Sequence, residues 1–465
     1  MLILLEAHLT TMIVAALMLT LVVRVLGKER RSSASFAWIL AIVLVPYVGI
    51  PSYLIFGGRK LRSVAEHKQK LHLRPTAAPA RLLHFDNPAE DVLTSTGVKP
   101  PSAGNALRFI PTGEEAYHRL CEAITAATTS IYIETYILKR DAIGKHMVSL
   151  LAQKAAEGLD VRLLLDSYGC LGITRRFVEP ITRAGGRVAW FLPLLPVHRE
   201  WSLNLRNHRK IVIVDGLRAI IGGMNYGEEY MGPAPEPKRW IDSTLMIEGP
   251  AARDVLEVFC SDWNFAAGDS LDNTCGGIAS TTLSGGADIA QIAASGPDVA
   301  GDPLFEAVLS SIHAARRRVW MVTPYFAPGE ELFRALLIQA RIGRDVRLIM
   351  PARSNHPVAD LVRGPYLREL AAAGAKILLR DGRMIHAKCM IFDDATAVTG
   401  STNFDLRSLY LNFEVALFSY SRERVAEIAA WVEELGRDAP ALIPTRPSRL
   451  HRLAEQLALL VSPLL

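Results

Sequence analysis

Residues 207–215 read NHRKIVIVD, and residues 385–393 read IHAKCMIFD. Both stretches contain the pattern H-x-K-x4-D, and each is followed by G-[GS]-x-N, at residues 222–225 and 400–403. The apolar residues in the middle of each stretch predict a short buried strand. Because side chains alternate along a strand, each histidine shares a face with the lysine two residues later. The sequence therefore predicts two strands that each hold an imidazole beside an ammonium group.

The two stretches close two similar halves of the chain. Each half begins with an apolar β-like run, at residues 130–136 and 318–325, which is followed by a helical stretch. A second strand then starts with Asp-Val-Arg-Leu, at Asp160 in one half and Asp345 in the other. Strands that alternate with helices predict an α/β fold with mixed sheets flanked by helices. A repeat of roughly 180 residues indicates a duplicated domain, since solenoid periods are far shorter.

Changes in composition set the predicted domain boundaries. A linker rich in Pro and Ala precedes the first half, and a segment rich in Gly, Ser, Ala and Asp separates the halves. The predicted units are residues 1–60 (two transmembrane helices), 61–106 (linker), 107–267 (first repeat), 268–301 (interdomain excursion), 302–440 (second repeat) and 441–465 (C-terminal segment).

The apolar excess of the chain is concentrated at its start. Residues 9–23 carry no charge, and residues 36–56 form an uncharged stretch of 21 residues, close to the ~20 that cross a bilayer core. These runs predict a two-helix transmembrane hairpin with Trp38, Tyr47 and Tyr53 as interfacial anchors. A cleaved signal peptide and a buried core helix are the respective alternatives. Five basic residues after the second run, against four in the connecting loop, favour a cytoplasmic catalytic part in a bacterial inner membrane.

Composition narrows the class of function further. The chain has 52 basic and 47 acidic residues, a net charge of +5, which is below the concentrated excess of an arm-type nucleic-acid binder. Its five cysteines are widely spaced without a Cys-x-x-Cys pair, so the sequence predicts neither a disulfide framework nor a thiolate zinc site. It also contains no H-E-x-x-H, carboxylate-rich loop or P-loop. We therefore expect no cofactor, no metal and no nucleic-acid partner.

Two imidazoles and two ammonium groups suit the chemistry of a phosphodiester. Lysines neutralise the phosphate and stabilise charge on its equatorial oxygens. One imidazole can attack phosphorus, and the other can protonate the leaving alcohol. The attack gives a phosphohistidine, which a second alcohol or water then resolves. We expect Asn225 and Asn403 to join the lysines in an electrostatic clamp that replaces a divalent ion.

Coincidence is a poor explanation of two such motifs. A single accidental H-x-K-x4-D is expected on the order of 0.01–0.02 times in a chain of this kind. Two matches that close similar repeats favour one catalytic centre, with both histidines within reach of one phosphate. The final aspartate of each motif falls at a strand end, where we expect a support residue rather than the nucleophile. The predicted catalytic residues are His208, Lys210, Asp215, His386, Lys388 and Asp393.

The sequence resembles the phospholipase D superfamily, whose hallmark is the duplicated H-x-K-x4-D motif, and within it the bacterial cardiolipin synthases. The superfamily resemblance covers about residues 107–440, and residues 31–57 resemble the synthases' N-terminal membrane hairpin. In this superfamily an acidic residue downstream of each motif orients the catalytic imidazole. The resemblance implies Glu414 in this role for His386, and Asp242 for His208.

The resemblance also implies a reaction. A phosphatidyl group passes from one phosphatidylglycerol to the hydroxyl of another, which gives cardiolipin and releases glycerol. It further implies that His208 is the nucleophile and His386 the general acid and base, whereas the residues alone leave this assignment open. The expected partners are phosphatidylglycerol, other anionic phospholipids and the membrane.

Other functions are compatible with the same motifs. A membrane-bound phospholipase D-type hydrolase or another phosphatidyltransferase would share every catalytic residue. A superfamily nuclease suits the charge and the apolar start of the chain less well, and a non-enzymatic scaffold would not need both His-Lys pairs. Several basic residues are candidates for binding anionic headgroups, with a solvated surface charge as the competing interpretation of each. They are Arg59, Lys60, Arg206, Lys238, Arg239 and Arg316 to Arg318.

Overall fold

The computed structural model describes residues 17–22, 39–40, 42–47, 49–50, 53, 68, 87–193, 205–268, 271, 285–299 and 301–461. The first half of the chain contains α1 (Pro88–Ser95), β1 (Ser102–Ile110), α2 (Gly113–Thr125), β2 (Ser130–Thr135), α3 (Ala142–Ala156), β3 (Asp160–Asp166), α4 (Arg175–Arg183), β4 (Arg187–Phe191), β5 (Ile211–Val214), β6 (Arg218–Gly222), β7 (Thr244–Glu248) and α5 (Pro250–Ala267).

The second half repeats this order of elements. It contains β8 (Asp288–Ser295), α6 (Pro303–Ala314), β9 (Arg318–Val322), β10 (Phe326–Ala327), α7 (Gly329–Arg341), β11 (Asp345–Pro351), α8 (Pro357–Ala372), β12 (Lys376–Arg380), β13 (Cys389–Phe392), β14 (Thr396–Gly400), β15 (Phe404–Asp405), α9 (Leu406–Tyr410), β16 (Glu414–Ser419), α10 (Arg422–Arg437) and α11 (Arg449–Val461).

One sheet of 14 strands runs through both halves in the order β12-β11-β9-β13-β14-β16-β8-β1-β7-β6-β5-β2-β3-β4. Counted inward from either edge strand, the equivalent strands of the two halves follow in the same order. The halves meet at the antiparallel pair of β8 and β1, which we call the seam. Strands β2, β3 and β4 are mutually parallel, as are β9, β11 and β12, whereas the inner strands pair antiparallel. The predicted α/β fold with mixed pairing and flanking helices is therefore confirmed.

The two halves share one hydrophobic core. Helices α5 and α10 cover one face of the sheet near the seam, and their buried side chains join those of β1, β5, β7, β13 and β16 in a single cluster. The ring of Trp431 on α10 packs edge-on against Phe109 of β1, with ring centroids 5.2 Å apart. Burial of this shared apolar surface holds the two halves in a fixed relation.

Buried charges also connect parts that are distant in sequence. Arg209 is fully buried, and its Nη1 donates to both carboxylate oxygens of Asp262 on α5, at 2.8 and 2.6 Å. Its Nε donates to the carbonyl oxygen of Glu414 at 3.0 Å. Lys68 also bonds to Asp262, and it donates to Asp298 at 2.6 Å. Each cation thus has a carboxylate partner, which buried charges require.

Some predicted boundaries differ from the observed elements. The predicted interdomain excursion, residues 268–301, includes β8, which pairs at the centre of the sheet. The small residues of β8 predict a loop. The segment forms a strand nevertheless, because it is hydrogen-bonded to a neighbouring strand on each side. Strand β1 likewise begins inside the predicted linker.

Most of the predicted transmembrane hairpin lies outside the described residues. Within the parts of residues 9–56 that are described, Leu21, Ile42 and Tyr53 pack together. No helix among the described ranges is long and apolar enough to cross a membrane.

We expect Asp262→Ala to destabilise the protein strongly. The substitution leaves Arg209 and Lys68 buried with fewer anions, and breaking a buried pair costs about 3–5 kcal/mol. Glu257→Ala on the same helix is the matched control, because its ion pair with Lys99 is partly exposed and contributes less than about 1 kcal/mol. Thermal unfolding of the full chain in detergent measures both effects. Equal shifts of the two variants would contradict a structural role of the buried cluster.

Candidate functional site

The two motif histidines lie just before β5 and β13, on backbone that pairs with the opposite half. The amide of His208 donates to the carbonyl of Phe413 at 2.9 Å, and the amide of His386 donates to that of Ile241 at 2.7 Å. The backbone amide of Asn207 also donates to the carboxylate of Asp166, the last residue of β3, at 2.9 Å. The site therefore lies at the carboxyl ends of the parallel strands, where the two halves meet.

Each imidazole is oriented by a carboxylate of the other half. His208 Nδ1 lies 2.9 Å from Glu414 Oε1, and His386 Nδ1 lies 2.6 Å from Asp242 Oδ2. A ring nitrogen must carry a proton to donate to a carboxylate, so in the neutral imidazoles Nε2 has the lone pair.

This arrangement corrects the predicted pairing, in which Glu414 was expected on His386 and Asp242 on His208. Both carboxylates do contact a catalytic imidazole, but the partners are exchanged. The cause is the backbone pairing between halves, because residue 413 lies beside residue 207 and residue 241 lies beside residue 385. Order along the chain does not reveal such an exchange.

The two lysines lie beside their own histidines. Lys210 Nζ donates to the carbonyl oxygen of His208 at 2.6 Å, and Lys388 Nζ donates to that of His386. All four side chains are buried. Lys388 acts electrostatically on His208, and Lys210 acts on His386. Each pair therefore influences the charge of the other.

Burial dominates the protonation of this site. It lowers the pKa of His208 to about 4, although Glu414 opposes the shift. It lowers the pKa of His386 to about 3, with a further contribution from Lys388. Burial also lowers the pKa of Lys210 to about 7 and that of Lys388 to about 8. Near neutral pH both imidazoles are therefore uncharged, and Lys210 is close to its titration point.

The two motif aspartates lie outside the catalytic centre, which corrects their place in the predicted catalytic set. Asp215 accepts hydrogen bonds from the amides of Thr129 and Ser130 at 2.7 and 3.0 Å, and Asp393 does the same for the amides of residues 316–318. Both have positive φ, 53° and 51°, a conformation that Asp tolerates better than most residues. Asp215 follows the last residue of β5, whereas His208 precedes the first. Their support role is to anchor strand ends.

The G-[GS]-x-N segments lie against the orienting carboxylates. Ser401 donates to Glu414, whereas a Cβ at Gly223 would overlap Asp242 Oδ1. Asn225 Oδ1 accepts from the amide of Ile137 at 3.1 Å. Among the described residues, the buried atoms Asn225 Nδ2 and Asn403 Oδ1 have no hydrogen-bond partner. Such orphaned polar atoms are suited to contact a bound polar group.

Three aromatic residues at the site were not predicted. Tyr136 contacts His208 edge-on, with centroids 4.9 Å apart, while Tyr230 and Trp240 lie 5.3 and 5.4 Å from His386. Tyr136 ends the first β-like run, so its position at a strand terminus was the available signal. These rings exclude water from the imidazoles and contribute to their low pKa values.

The basic candidates separate into different environments. Arg206 is buried and lies over the ring of Tyr168 at 4.7 Å, and Arg239 bonds to Glu114. Lys238 is exposed. Residues 316–318 bind Asp393 where β9 begins and β13 ends, at the strand ends opposite the site, so they are not headgroup ligands of this site. Arg59 and Lys60 lie outside the described residues.

The described part of the chain contains no group of three or more His, Cys, Asp or Glu side chains that could hold a metal ion. The two lysines lie near the carboxylates on the imidazoles, and Asp166 and Asp405 also act electrostatically on Lys210 and Lys388, respectively.

Comparison with known proteins agrees with this geometry. The family model of the cardiolipin synthase PLD-like domain matches residues 120–263 and 308–435, and a phospholipase D-nuclease N-terminal model matches residues 16–58. The chain is 30% identical to a cardiolipin synthase of Alkalihalophilus pseudofirmus over 454 residues, which cover 94% of this chain and 90% of that protein. It is 31% identical to cardiolipin synthase A of Pseudomonas aeruginosa over 452 residues, or 94% and 91% of the two chains.

A solved structure supports the fold independently. The phosphatidylserine synthase of Haemophilus influenzae superposes with a TM-score of 0.62 at 14% identity, over 82% of this chain and all of that one. This likeness concerns the fold alone, whereas the family models and the relatives extend over most of the sequence. The duplicated motifs, the single site between two halves and these matches together establish that the chain belongs to the cardiolipin synthase family of phospholipase D-like proteins.

Proposed function

We propose that this protein synthesises cardiolipin by transferring the phosphatidyl group of one phosphatidylglycerol to a hydroxyl of a second, with release of glycerol. The observation that carries the proposal is the pair of buried His-Lys units, each with its imidazole oriented by a carboxylate of the other half. Neutral imidazoles with a free Nε2 suit attack on phosphorus, and flanking ammonium groups suit an anionic diester.

In the first half-reaction, Nε2 of His208 attacks phosphorus and forms a P–N bond. The bond from phosphorus to the glycerol oxygen breaks, and His386 gives its Nε2 proton to that oxygen. Asp242 stabilises the positive charge of His386 before this transfer, through its bond to Nδ1. The products of this step are free glycerol and a phosphatidyl-histidine.

In the second half-reaction, a hydroxyl of another phosphatidylglycerol enters beside His386. Nε2 of His386 takes the hydroxyl proton, the oxygen attacks phosphorus, and the P–N bond breaks. His208 returns to its neutral form, and the product is cardiolipin. Water in place of the lipid hydroxyl would give phosphatidic acid, so the acceptor decides between transfer and hydrolysis.

The charges of the site couple substrate binding to the uptake of a proton. His386 is neutral in the free site because its pKa is about 3, whereas the first step needs it as an acid. The bound phosphodiester brings a negative charge next to both imidazoles, which favours their protonation. We therefore expect the site to take up a proton together with its substrate, while Lys210 and Lys388 become fully charged.

A membrane location belongs to the same proposal. The match of residues 16–58 to a phospholipase D-nuclease N-terminal model supports the N-terminal segment as a membrane anchor. The low charge and high apolar content of this segment fit a two-helix hairpin. The lipid substrates would then reach the site from the bilayer to which the chain is attached.

The direct test incubates the purified full chain with vesicles of pure phosphatidylglycerol. We expect cardiolipin and glycerol in equal amounts, because one transfer releases one glycerol. Mass spectrometry of the lipids and an enzymatic glycerol assay measure both products. Phosphatidic acid as the main lipid product would instead identify a hydrolase, and an inactive His208→Ala variant would exclude a contaminating activity.

Removal of either lysine should impair the chemical step. We expect Lys210→Ala and Lys388→Ala to lose about 3 kcal/mol of transition-state stabilisation, or about two orders of magnitude in kcat/KM. Lys376→Ala, at an exposed ion pair on β12, is the matched control and should retain activity. EDTA should leave the wild-type rate unchanged. Loss of activity in EDTA that one divalent metal restores would argue against the lysine clamp.

The assignment of the two histidines can be tested by trapping. His386→Asn should accumulate a lipid adduct on His208 when the donor has a leaving group that needs no protonation, because attack remains feasible while resolution is impaired. Peptide mass spectrometry locates the adduct. An adduct on His386 in a His208→Asn variant, with none on His208 in the converse variant, would reverse the two roles.

The pH dependence of kcat/KM reports the free site. Activity should persist below the ordinary histidine pKa of 6.5 and fall only toward pH values of about 4, where protonation removes the lone pair of His208. Above that range it should decline as the pH rises, because the first step needs a proton on His386, and it should decline more steeply through about 7 to 8, where Lys210 and Lys388 lose their charge. The basic limb of kcat should lie at higher pH, since the bound phosphate stabilises both ammonium groups. Rates in mixed micelles test this, and an acidic limb at pH 6.5 would contradict buried, neutral imidazoles.

A further inference from the structure

Helix α11, near the C-terminus, presents an apolar stripe to solvent. Leu450, Leu453 and Leu457 are 81%, 52% and 57% exposed. At 100° per residue, positions i, i+3 and i+7 lie within about 60° of one another on a helix. The three leucines therefore form one continuous strip along α11, which we call the leucine stripe.

The opposite face of α11 is already used to hold the helix on the protein. Glu455 is buried and accepts two hydrogen bonds from Arg368 of α8, at 2.8 and 2.6 Å. Ala458 is buried in a small cluster with Ala327 and Val362. The leucine stripe thus is not needed for packing within the described part of the chain.

Positive charge accompanies the stripe. Arg446, Arg449 and Arg452 are exposed in and just before α11. The only acidic residue between positions 446 and 461 is Glu455, and its carboxylate is turned inward to Arg368. The outer surface of the helix consequently combines leucines with arginines and exposes no acidic side chain.

We propose that α11 docks on the surface of an anionic phospholipid bilayer, with the leucine stripe in the headgroup and acyl boundary and the three arginines on lipid phosphates. A helix with an apolar strip beside basic residues has the chemistry of an interfacial helix that lies in the plane of the membrane. An anionic bilayer can bind both the leucines and the arginines of this surface, whereas a neutral apolar partner would leave the arginines desolvated. The inference rests on the proposed function only for the identity of the lipid.

The position of α11 gives this docking a role in catalysis. Ala458 shares a small buried cluster with Val362 of α8 and Ala327 of β10, and β10 pairs with β15, which begins directly after Asn403. The helix is therefore connected to the second half's side of the site through this cluster and the pair of β10 and β15. A bilayer bound at α11 lies next to the site that takes its lipid substrates.

Hydrogen exchange of the reconstituted full chain tests the docking. Amides of residues 449–461 should exchange several-fold more slowly in phosphatidylglycerol nanodiscs than in phosphatidylcholine nanodiscs or neutral detergent. The variant with Leu450→Ser, Leu453→Ser and Leu457→Ser should lose this difference. Unchanged exchange of α8 in detergent shows that the variant is folded. The matched control carries Ile338→Ser and Ile342→Ser at the end of α7, where the side chains are 48% and 59% exposed, and should behave as wild type.

A kinetic measurement provides a second readout. In mixed micelles, the leucine variant should need a several-fold higher surface fraction of phosphatidylglycerol for half-maximal rate, with an unchanged maximal rate. Equal exchange in all three environments would overturn the proposal, as would equal protection in both kinds of nanodisc. Protection in detergent that increases with protein concentration would identify a second copy as the occupant and also overturn it. Lipid-dependent protection in a wild-type protein that makes no cardiolipin would leave the docking intact and reject the proposed function.

Discussion

The structure depends on two hydrogen bonds that cross between its halves, from the imidazole of His208 to Glu414 and from that of His386 to Asp242. Neither half can orient its own catalytic histidine. The two carboxylates fix Nδ1 as the donor and direct Nε2 away from the carboxylate, so they determine which ring nitrogen is available for chemistry. Duplication thus gives one composite site rather than two independent ones.

The shared core fixes the geometry of these two hydrogen bonds. Sheet pairing at the seam and the common cluster beneath α5 and α10 hold the halves together over a large apolar surface. A catalytic bond between elements that moved independently would lose its geometry with small displacements. The site therefore lies where the two halves are held together.

The two halves differ at the residue between the motif histidine and lysine. Arg209 points to the core side of its strand, where Asp262 neutralises it, whereas the equivalent Ala387 carries no charge. The backbone of His208 is consequently anchored by a buried ion cluster that includes Lys68 from the N-terminal part of the chain. The backbone at His386 and Ala387 is instead held by hydrogen bonds from both amides to the carbonyl oxygen of Ile241. The two histidines thus occupy different environments despite identical motifs.

The sequence by itself determined the duplicated motifs, the shared face of each His-Lys pair and the α/β class, because alternation along a strand and the periodicity of apolar residues are local properties. It also placed both motif aspartates at strand ends. Only the tertiary structure decided that residues 288–295 form a central strand and that the orienting carboxylates are exchanged. Both features depend on pairing between segments far apart in the chain, and such pairing is not encoded in the spacing of any one motif. The low pKa values of the histidines have the same origin, since they follow from the burial of the site between the two halves.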